Sequence, residues 1–348
     1  MHEGEIDWRD VKRVLIVKLR SIGDTVLATP SLIALKKFAP SVEVDILLED
    51  WVAPLLAGFE YVDSVIPVGK GQYERIRTAW NLRRNRYDIA FNLHGGTTAT
   101  FFTTASLARH RVGISNYQYS FLYNHLLSSS ADFWGRDNTH SAEQQLALLG
   151  FCGVPVDDLP KTHLAVIPDA TDRVEKLLGS KINDDLALMH PASAFFTKQW
   201  PTENYARAAE FLADQGLQTI AVASKTEIAV LKELVAQSRV PVTTFDDLTL
   251  PEITALAYRA KLFVGNDSGI AHIAAAVKTP VVVVFGSSNR SHWSPWTDSP
   301  SEMVFQEFRC QPCAGFTCAE FGEPRCILGV TPESVFAAIS RTLESAAS

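Results

Sequence analysis

The residues most able to do chemistry sit in four short polar loops, each following an apolar run. In Arg20-Ser21-Ile22-Gly23-Asp24-Thr25, Gly23 lets the backbone turn sharply and Asp24 follows directly on a strand-like segment. A carboxylate there can take a proton from a hydroxyl nucleophile, as a general base does. It can equally cap the helix that follows. In Gly265-Asn266-Asp267-Ser268-Gly269-Ile270-Ala271-His272, polar groups open an apolar helix. Free N–H groups and the dipole at such a helix start attract phosphate, and Gly269 permits close backbone approach. His272 shares a face with Ser268 by i, i+4 spacing. The same residues also read as an ordinary helix cap with a packed histidine. The loop from His190 to Pro201 carries Ser193, Thr197 and Lys198, two hydroxyls and one positive charge that can meet phosphate oxygens. In Ala223-Ser224-Lys225-Thr226-Glu227, Glu227 can bind ribose hydroxyls or serve as a first-turn helix acid.

The cysteines offer a different chemistry. Cys310, Cys313, Cys318 and Cys326 are spaced C-x2-C-x4-C-x7-C, with Cys152 apart from them. A zinc ribbon carries two C-x2-C knuckles and this chain has one, so packed or surface thiols are favoured over a structural metal.

Strand and helix periodicity must position these loops. Apolar, β-branched runs at 13–19, 42–48, 61–68, 87–93 and 111–114 alternate with helical segments at 72–85 and 97–108. Residues 115–140 carry few periodic signals. A helix begins at 141, a linker follows, and the alternation restarts at 186–190. It then runs through strands at 219–224, 241–245, 262–266 and 280–286, with helices at 202–215, 226–237, 251–259 and 268–276. A last helix follows Thr331 as cap and Pro332 at its first position. Two βα-repeat blocks predict an α/β protein with two Rossmann-like domains facing across a cleft, ligands lying beyond the carboxyl ends of the strands. The domains are expected at 1–165 and 166–330, with 331–348 as a C-terminal helix.

Composition agrees with that class. The chain has 348 residues, 47% of them apolar, and a formal net charge of −7. At roughly 150 residues per domain that length suggests two domains. An acidic balance argues against a protein built around nucleic acid, which needs a basic surface. The most apolar stretch, 271–285, is broken by Lys278 and Pro280, and a spanning helix needs about 20 largely uncharged residues. The N-terminus is acidic and lacks the basic-then-apolar order of a secretion signal. A cytoplasmic protein is expected. The helix at 72–85, with Arg75, Arg77, Arg83, Arg84 and Arg86 in or beside it, is open to two readings: a face for anionic lipid or acceptor phosphates, or a solvated charged face.

Four segments, in order, resemble glycosyltransferase family 9, the ADP-heptose:lipopolysaccharide heptosyltransferases. They are RVLIVKLRSIGDTVLATPSLIALKK, then FNLHGGTTATFF with RHRVGIS, then HPASAFFTKQWPTENYA, then VGNDSGIAHIAAAVKTPVVVVFGSSNRSHWSPW, together running from residue 13 to 296. The resemblance implies a GT-B fold, an acceptor site in the first domain and a nucleotide-sugar site mainly in the second. It implies that the last helix returns to the N-terminal domain. The implied reaction is inverting transfer of a heptose or related sugar from an ADP-sugar donor to a hydroxyl of a lipopolysaccharide inner core or similar glycan. By position, Asp24 matches the family's base and Lys198 the lysine on the donor diphosphate. Ser193 and Thr197 occupy neighbouring positions, while Asp267, Ser268, Gly269 and His272 match the turn that holds donor sugar and phosphate. Glu227 is the counterpart of the ribose-binding glutamate. No metal cofactor is implied, because Lys198 and a helix start can supply the electrostatic task of a divalent ion. The implied partners are the donor and a glycolipid or glycan acceptor, with no nucleic acid and peripheral contact with the inner membrane; a monomer is expected. The chain departs from some members ahead of Lys198, where Ser193-Ala194 and Phe195-Phe196 replace a pair of threonines. Three other activities compete: transfer within the same family from a different nucleotide sugar, a nucleotide-sugar epimerase or hydrolase on the same fold, and a non-catalytic two-lobed binding protein, which needs no base at Asp24.

Overall fold

The computed structural model describes residues 4–179, 185–313 and 315–347. By its internal contacts the chain divides into Met1–Ala165 and Val166–Ser348. Each unit is built on a six-stranded sheet in which all strand pairs are parallel.

In the first unit, β1 (Arg13–Val17) is the central strand. Val14, Leu15, Ile16 and Val17 are all fully buried, as expected for a strand covered by helices on both faces. β1 pairs with β2 (Glu43–Glu49) on one side and β4 (Ile89–Asn92) on the other. β3 (Ser64–Val68), β5 (His110–Ile114) and β6 (His125–Leu127) complete the order β3-β2-β1-β4-β5-β6. Helix α1 (Ile22–Val26) and helix α2 (Thr29–Phe38) follow β1; α3 (Gln72–Asn85) follows β3 and α4 (Gly96–Ala105) follows β4. α3 is capped at Gly71, whose N–H donates to Glu74 Oε2 at 3.2 Å, and it ends at Arg86 in the left-handed region. α5 (Ser130–Trp134) and α6 (Ser141–Phe151) close the unit. β6 and α5 fall in the stretch where the sequence carries few periodic signals.

The second unit begins with α7 (Pro168–Leu178), which buries Ala170, Val174 and Leu178 at four-residue spacing. Its sheet runs β12-β11-β10-β7-β8-β9, from β7 (Leu186–His190), β8 (Gln218–Val222), β9 (Val242–Phe245), β10 (Leu262–Asn266), β11 (Val281–Phe285) and β12 (Ser301–Phe305). The connecting helices are α8 (Thr202–Asp214), α9 (Ile228–Gln237), α10 (Leu250–Arg259), α11 (Gly269–Ala276) and α12 (Arg290–Trp293); α13 (Arg325–Leu328) precedes α14 (Pro332–Ala347).

The placement of α14 corrects the expectation that 331–348 returns to the first domain. Its apolar stripe of Val335, Ala338 and Ile339 is buried in the second unit's core with Trp200, Tyr205, Val282 and Val284. Phe336 stacks on Phe211 of α8 at 4.6 Å, and Arg341 pairs with Glu302 of β12 at 3.0 Å. Thr331 does act as its cap, accepting from Ser334 N at 3.3 Å. An apolar stripe shows that a helix is buried, while the shape of the core decides against what.

Ile339→Ala is therefore expected to cost about 2–5 kcal/mol, the range for emptying a buried aliphatic site. Native-state hydrogen exchange checks this: protection should fall in β11, β12 and α8. Loss concentrated in β1 and β4 instead would return the helix to the first unit.

Candidate functional site

Both sheets start at a central strand, build outward to one edge, and then restart beside the first strand. The direction of winding reverses between β1 and β4 in one unit and between β7 and β10 in the other. At such a switch point the two following loops diverge and leave a crevice at the carboxyl ends of the strands. The candidate residues of each unit lie on those loops or at the start of the helices after them, except Glu227, which follows β8, and His272, inside α11.

In the first unit, Asp24 sits in the first turn of α1 after Ser21. Its carboxylate accepts from Lys18 Nζ at 3.1 Å and from Ser21 Oγ at 2.9 Å. Lys18, one residue past β1, is only 5% exposed and donates a second bond to Leu93 O at 3.0 Å, while Asp24 is 31% exposed. Burial pushes the Asp24 carboxyl up; the Lys18 charge and the bonds from Lys18 and Ser21 outweigh it, and the net shift is downward. The pKa of His94, two residues past β4, is lowered by burial and by the Lys18 charge, against opposing pulls from Asp24 and Glu49. Its backbone is fixed by Asn92, whose Oδ1 accepts from His94 N at 3.0 Å and Gly95 N at 2.8 Å. Glu49, at the end of β2, accepts from Trp51 Nε1 at 2.8 Å and lies 3.9 Å from Arg20. The result is two ion pairs, Lys18–Asp24 and Arg20–Glu49, both within electrostatic reach of His94, with the Asp24 carboxylate partly exposed.

In the second unit, the loop after β7 is tied to the ends of β10 and β11. Asn266 accepts from Trp200 N at 3.0 Å and donates to Pro191 O at 3.0 Å and Ala192 O at 3.2 Å. A Cβ at Gly286 would lie 2.1 Å from Thr197 O, so only glycine allows this approach. Thr197 is buried, its hydroxyl engaged with Ser287 Oγ at 2.8 Å and with Gly315 O. Lys198 Nζ is 2.8 Å from Asp267 Oδ2 and 5.4 Å from the ring centre of Phe195. Asp267 also accepts from Ser288 Oγ. Ser268 caps α11 in extended conformation without a side-chain bond to the helix, because its hydroxyl meets His190 Nδ1 at 3.1 Å. The first-turn N–H groups of α11, Gly269 included, thus have no cap from Ser268. Burial brings the His190 pKa down to about 4, against an upward pull from Glu227. Glu227 itself lies just past β8, the neighbour of β7, where its carboxylate accepts from Ser224 N at 3.0 Å.

The structure thus brings Lys198, Asp267, Ser268 and Gly269 together at the switch point, with Glu227 one strand over and Ser193 on the same loop. His272 is buried inside α11 and Thr197 beneath the loop, so neither lies open at the surface. Sequence reasoning missed Lys18, Ser288 and Asn266. Lys18 had a signal: it is a lone charge inside an apolar strand run. The four clustered cysteines line one small pocket with Thr197 and Ser287, and all are free thiols. Burial, then the neighbouring Cys313 and Cys310, push the Cys326 thiol up. Among the described residues no group of three or more His, Cys, Asp or Glu is arranged to hold a metal ion.

Comparison with known proteins bears on what this arrangement does. The family model for glycosyltransferase family 9 (heptosyltransferase) matches residues 75–322. Lipopolysaccharide heptosyltransferase 3 of Escherichia coli K12 is 27% identical over 346 residues, covering 93% of this chain and 96% of its own. The crystal structure of a family 9 glycosyl transferase from Veillonella parvula superposes with a TM-score of 0.81 at 19% identity, covering 98% of each chain. The E. coli ADP-heptose lps heptosyltransferase II gives 0.81 at 21% identity, covering 97% of this chain and all of its own. These two structures share the fold, two parallel sheets of the GT-B kind.

The Lys18–Asp24 pair of the first unit makes a specific expectation. Lys18→Met should raise the Asp24 carboxyl pKa, because burial is then opposed only by the bonds from Ser21. Carbon-13 NMR titration of the aspartate carboxyls reads this directly, and an unmoved Asp24 resonance would refute the ion pair as what holds that pKa down.

Proposed function

The chain belongs to glycosyltransferase family 9, and from that premise we propose that it transfers a heptose or closely related sugar from an ADP-sugar to a hydroxyl of a lipopolysaccharide inner core or similar glycan, with inversion at the anomeric carbon. The full-length relative named above is a lipopolysaccharide heptosyltransferase, which supports the sugar and the acceptor class. The observation that carries the mechanism is Asp24, an ionised carboxylate left partly exposed at a switch point by a buried lysine.

In this reading residues 1–165 hold the acceptor and 166–330 the donor. Asp24 takes the proton as the acceptor oxygen bonds to the anomeric carbon, while the bond from that carbon to the diphosphate oxygen breaks. Because Asp24 is a weak base with a lowered pKa, its proton transfer is favourable only late, when the attacking hydroxyl has become acidic. That timing suits a reaction driven by departure of the diphosphate. The leaving group carries away the bonding electron pair, and Lys198 with the first-turn N–H groups of α11 stabilises the negative charge. Ser193 and Ser268 offer hydroxyls to donor oxygens, Glu227 meets the ribose hydroxyls, and Thr197 and His272 hold the loop and helix in position. Lys198 and the helix start supply the positive potential, so no metal is included in the reaction. The enzyme works as a monomer in the cytoplasm, in peripheral contact with the membrane that carries its acceptor.

Two variants test this. Asp24→Asn keeps the shape and removes the base: ADP-sugar affinity by calorimetry should stay unchanged, while turnover in excess EDTA falls about a hundredfold or more from a wild-type rate that the chelator leaves intact. Unchanged turnover would remove Asp24 from the chemistry. Lys198→Ala should cost on the order of 1.5–3 kcal/mol of nucleoside diphosphate binding, about ten- to a hundredfold in Kd. Calorimetry with ADP decides, and an unaltered Kd rejects the phosphate role.

A further inference from the structure

Helix α3 presents an unusual outward face. Tyr73, Ile76 and Trp80 are 77%, 56% and 63% exposed, although they are the largest apolar side chains on the helix. At about 100° per residue they fall on one side, opposite the buried Thr78, Ala79 and Leu82. Arg77, Arg83 and Arg84 project from the same side, the six residues spanning an arc of about 120°. No carboxylate pairs with Arg77, Arg83 or Arg84 among the described residues. α4, packed beside α3, adds an exposed Phe101.

We infer that this face of α3 is a docking surface for an anionic lipid bilayer, on which the helix lies in the interface plane. Three features select that occupant. Aromatic rings mixed with arginines match the headgroup level of a bilayer, where a ring has one apolar and one wet side. Arginine stems can lie along apolar surface while their guanidinium groups reach lipid phosphates. Finally, a chain of net charge −7 is repelled as a whole by an anionic surface, so a cationic helix free of internal pairing fixes which side approaches. A nucleic acid meets the same repulsion along any longer track. The inference deepens the proposed use of a membrane-borne acceptor by naming the contact surface. Lipid binding needs neither donor nor acceptor, so its failure and the failure of the transferase reading are separate results.

The test is flotation with vesicles of equal parts phosphatidylglycerol and phosphatidylethanolamine, beside vesicles of phosphatidylcholine alone. The wild-type chain should partition to the anionic vesicles, and raised salt should release it. The combined Arg77→Gln, Arg83→Gln and Arg84→Gln variant should lose about fivefold in partitioning per arginine. A Tyr73→Ser, Ile76→Ser and Trp80→Ser variant should lose at least tenfold, with unchanged circular dichroism and ADP affinity, since all six side chains leave the core untouched. Brominated lipid should quench wild-type fluorescence more than that of Trp80→Phe. Equal partitioning of wild type and variants overturns the proposal, as does wild type that ignores both vesicles. Self-association abolished by the serine variant, without vesicle binding, would assign the face to a second copy of this chain and overturn it as well.

Discussion

A parallel strand cannot return by a tight hairpin; each needs a crossover, and the crossover helices need room on the sheet faces. Both sheets meet that constraint in the same way, outward from the centre and then back beside the first strand. At the reversal, the loops after β1 and β4, and after β7 and β10, diverge. Residues there escape the packing that buries every side chain of β7, β10 and β11 and all of β1 beyond Arg13. Chemistry concentrates at these strand ends because they are where polar groups can leave the core and still be held by it.

Each crevice then relies on a lysine–carboxylate pair, and the two pairs are built differently. In the first unit the lysine is the deeply buried member and the carboxylate the more exposed one. Lys18 is locked by its second bond to Leu93 O, so its charge acts as a fixed field that keeps Asp24 ionised. In the second unit the order is inverted: Asp267 is the buried member and Lys198 the more accessible. The more exposed group in each case is the one to which the proposed mechanism gives a task, a carboxylate for a proton and an ammonium for an anion. The buried group sets its charge and position.

The strand-loop-helix units were legible in sequence because their signals are local. RVLIV, LALMH and LFVGN are apolar runs, and the loops RSIGD and NDSG follow within a few residues. The short edge strands were not legible: β6 has three residues, and β12 buries only Val304 of its five. α7 had its signal, Pro168 and a four-residue apolar spacing, but it follows the linker where strand alternation guides the eye elsewhere. Most of the candidate residues named from sequence type lie just past the strands they were expected to follow, since position after an apolar run is also local. Their partners were not. That Thr197 spends its hydroxyl on Ser287 and Gly315, or that Lys18 reaches Asp24, depends on how loops far apart in sequence come together.

The Lys198–Asp267 pair has a consequence for what the second crevice can accept. Lys198 is already compensated by Asp267, whose carboxylate also takes the Ser288 hydroxyl and lies at the start of α11. A neutral ligand gains nothing by parting that pair, since a buried carboxylate left alone is costly. A diphosphate brings more negative charge than the carboxylate it displaces, and it meets the N–H groups of α11 at the same time. Asp267 keeps Ser288 and the helix dipole when the ammonium turns to the ligand, so separation is cheapest for an anion seated at the helix start. A crevice of this kind favours a ligand that carries phosphates. Selectivity among sugars is then left to the residues around it, and Phe195, whose ring centre is 5.4 Å from Lys198 Nζ, is one of them.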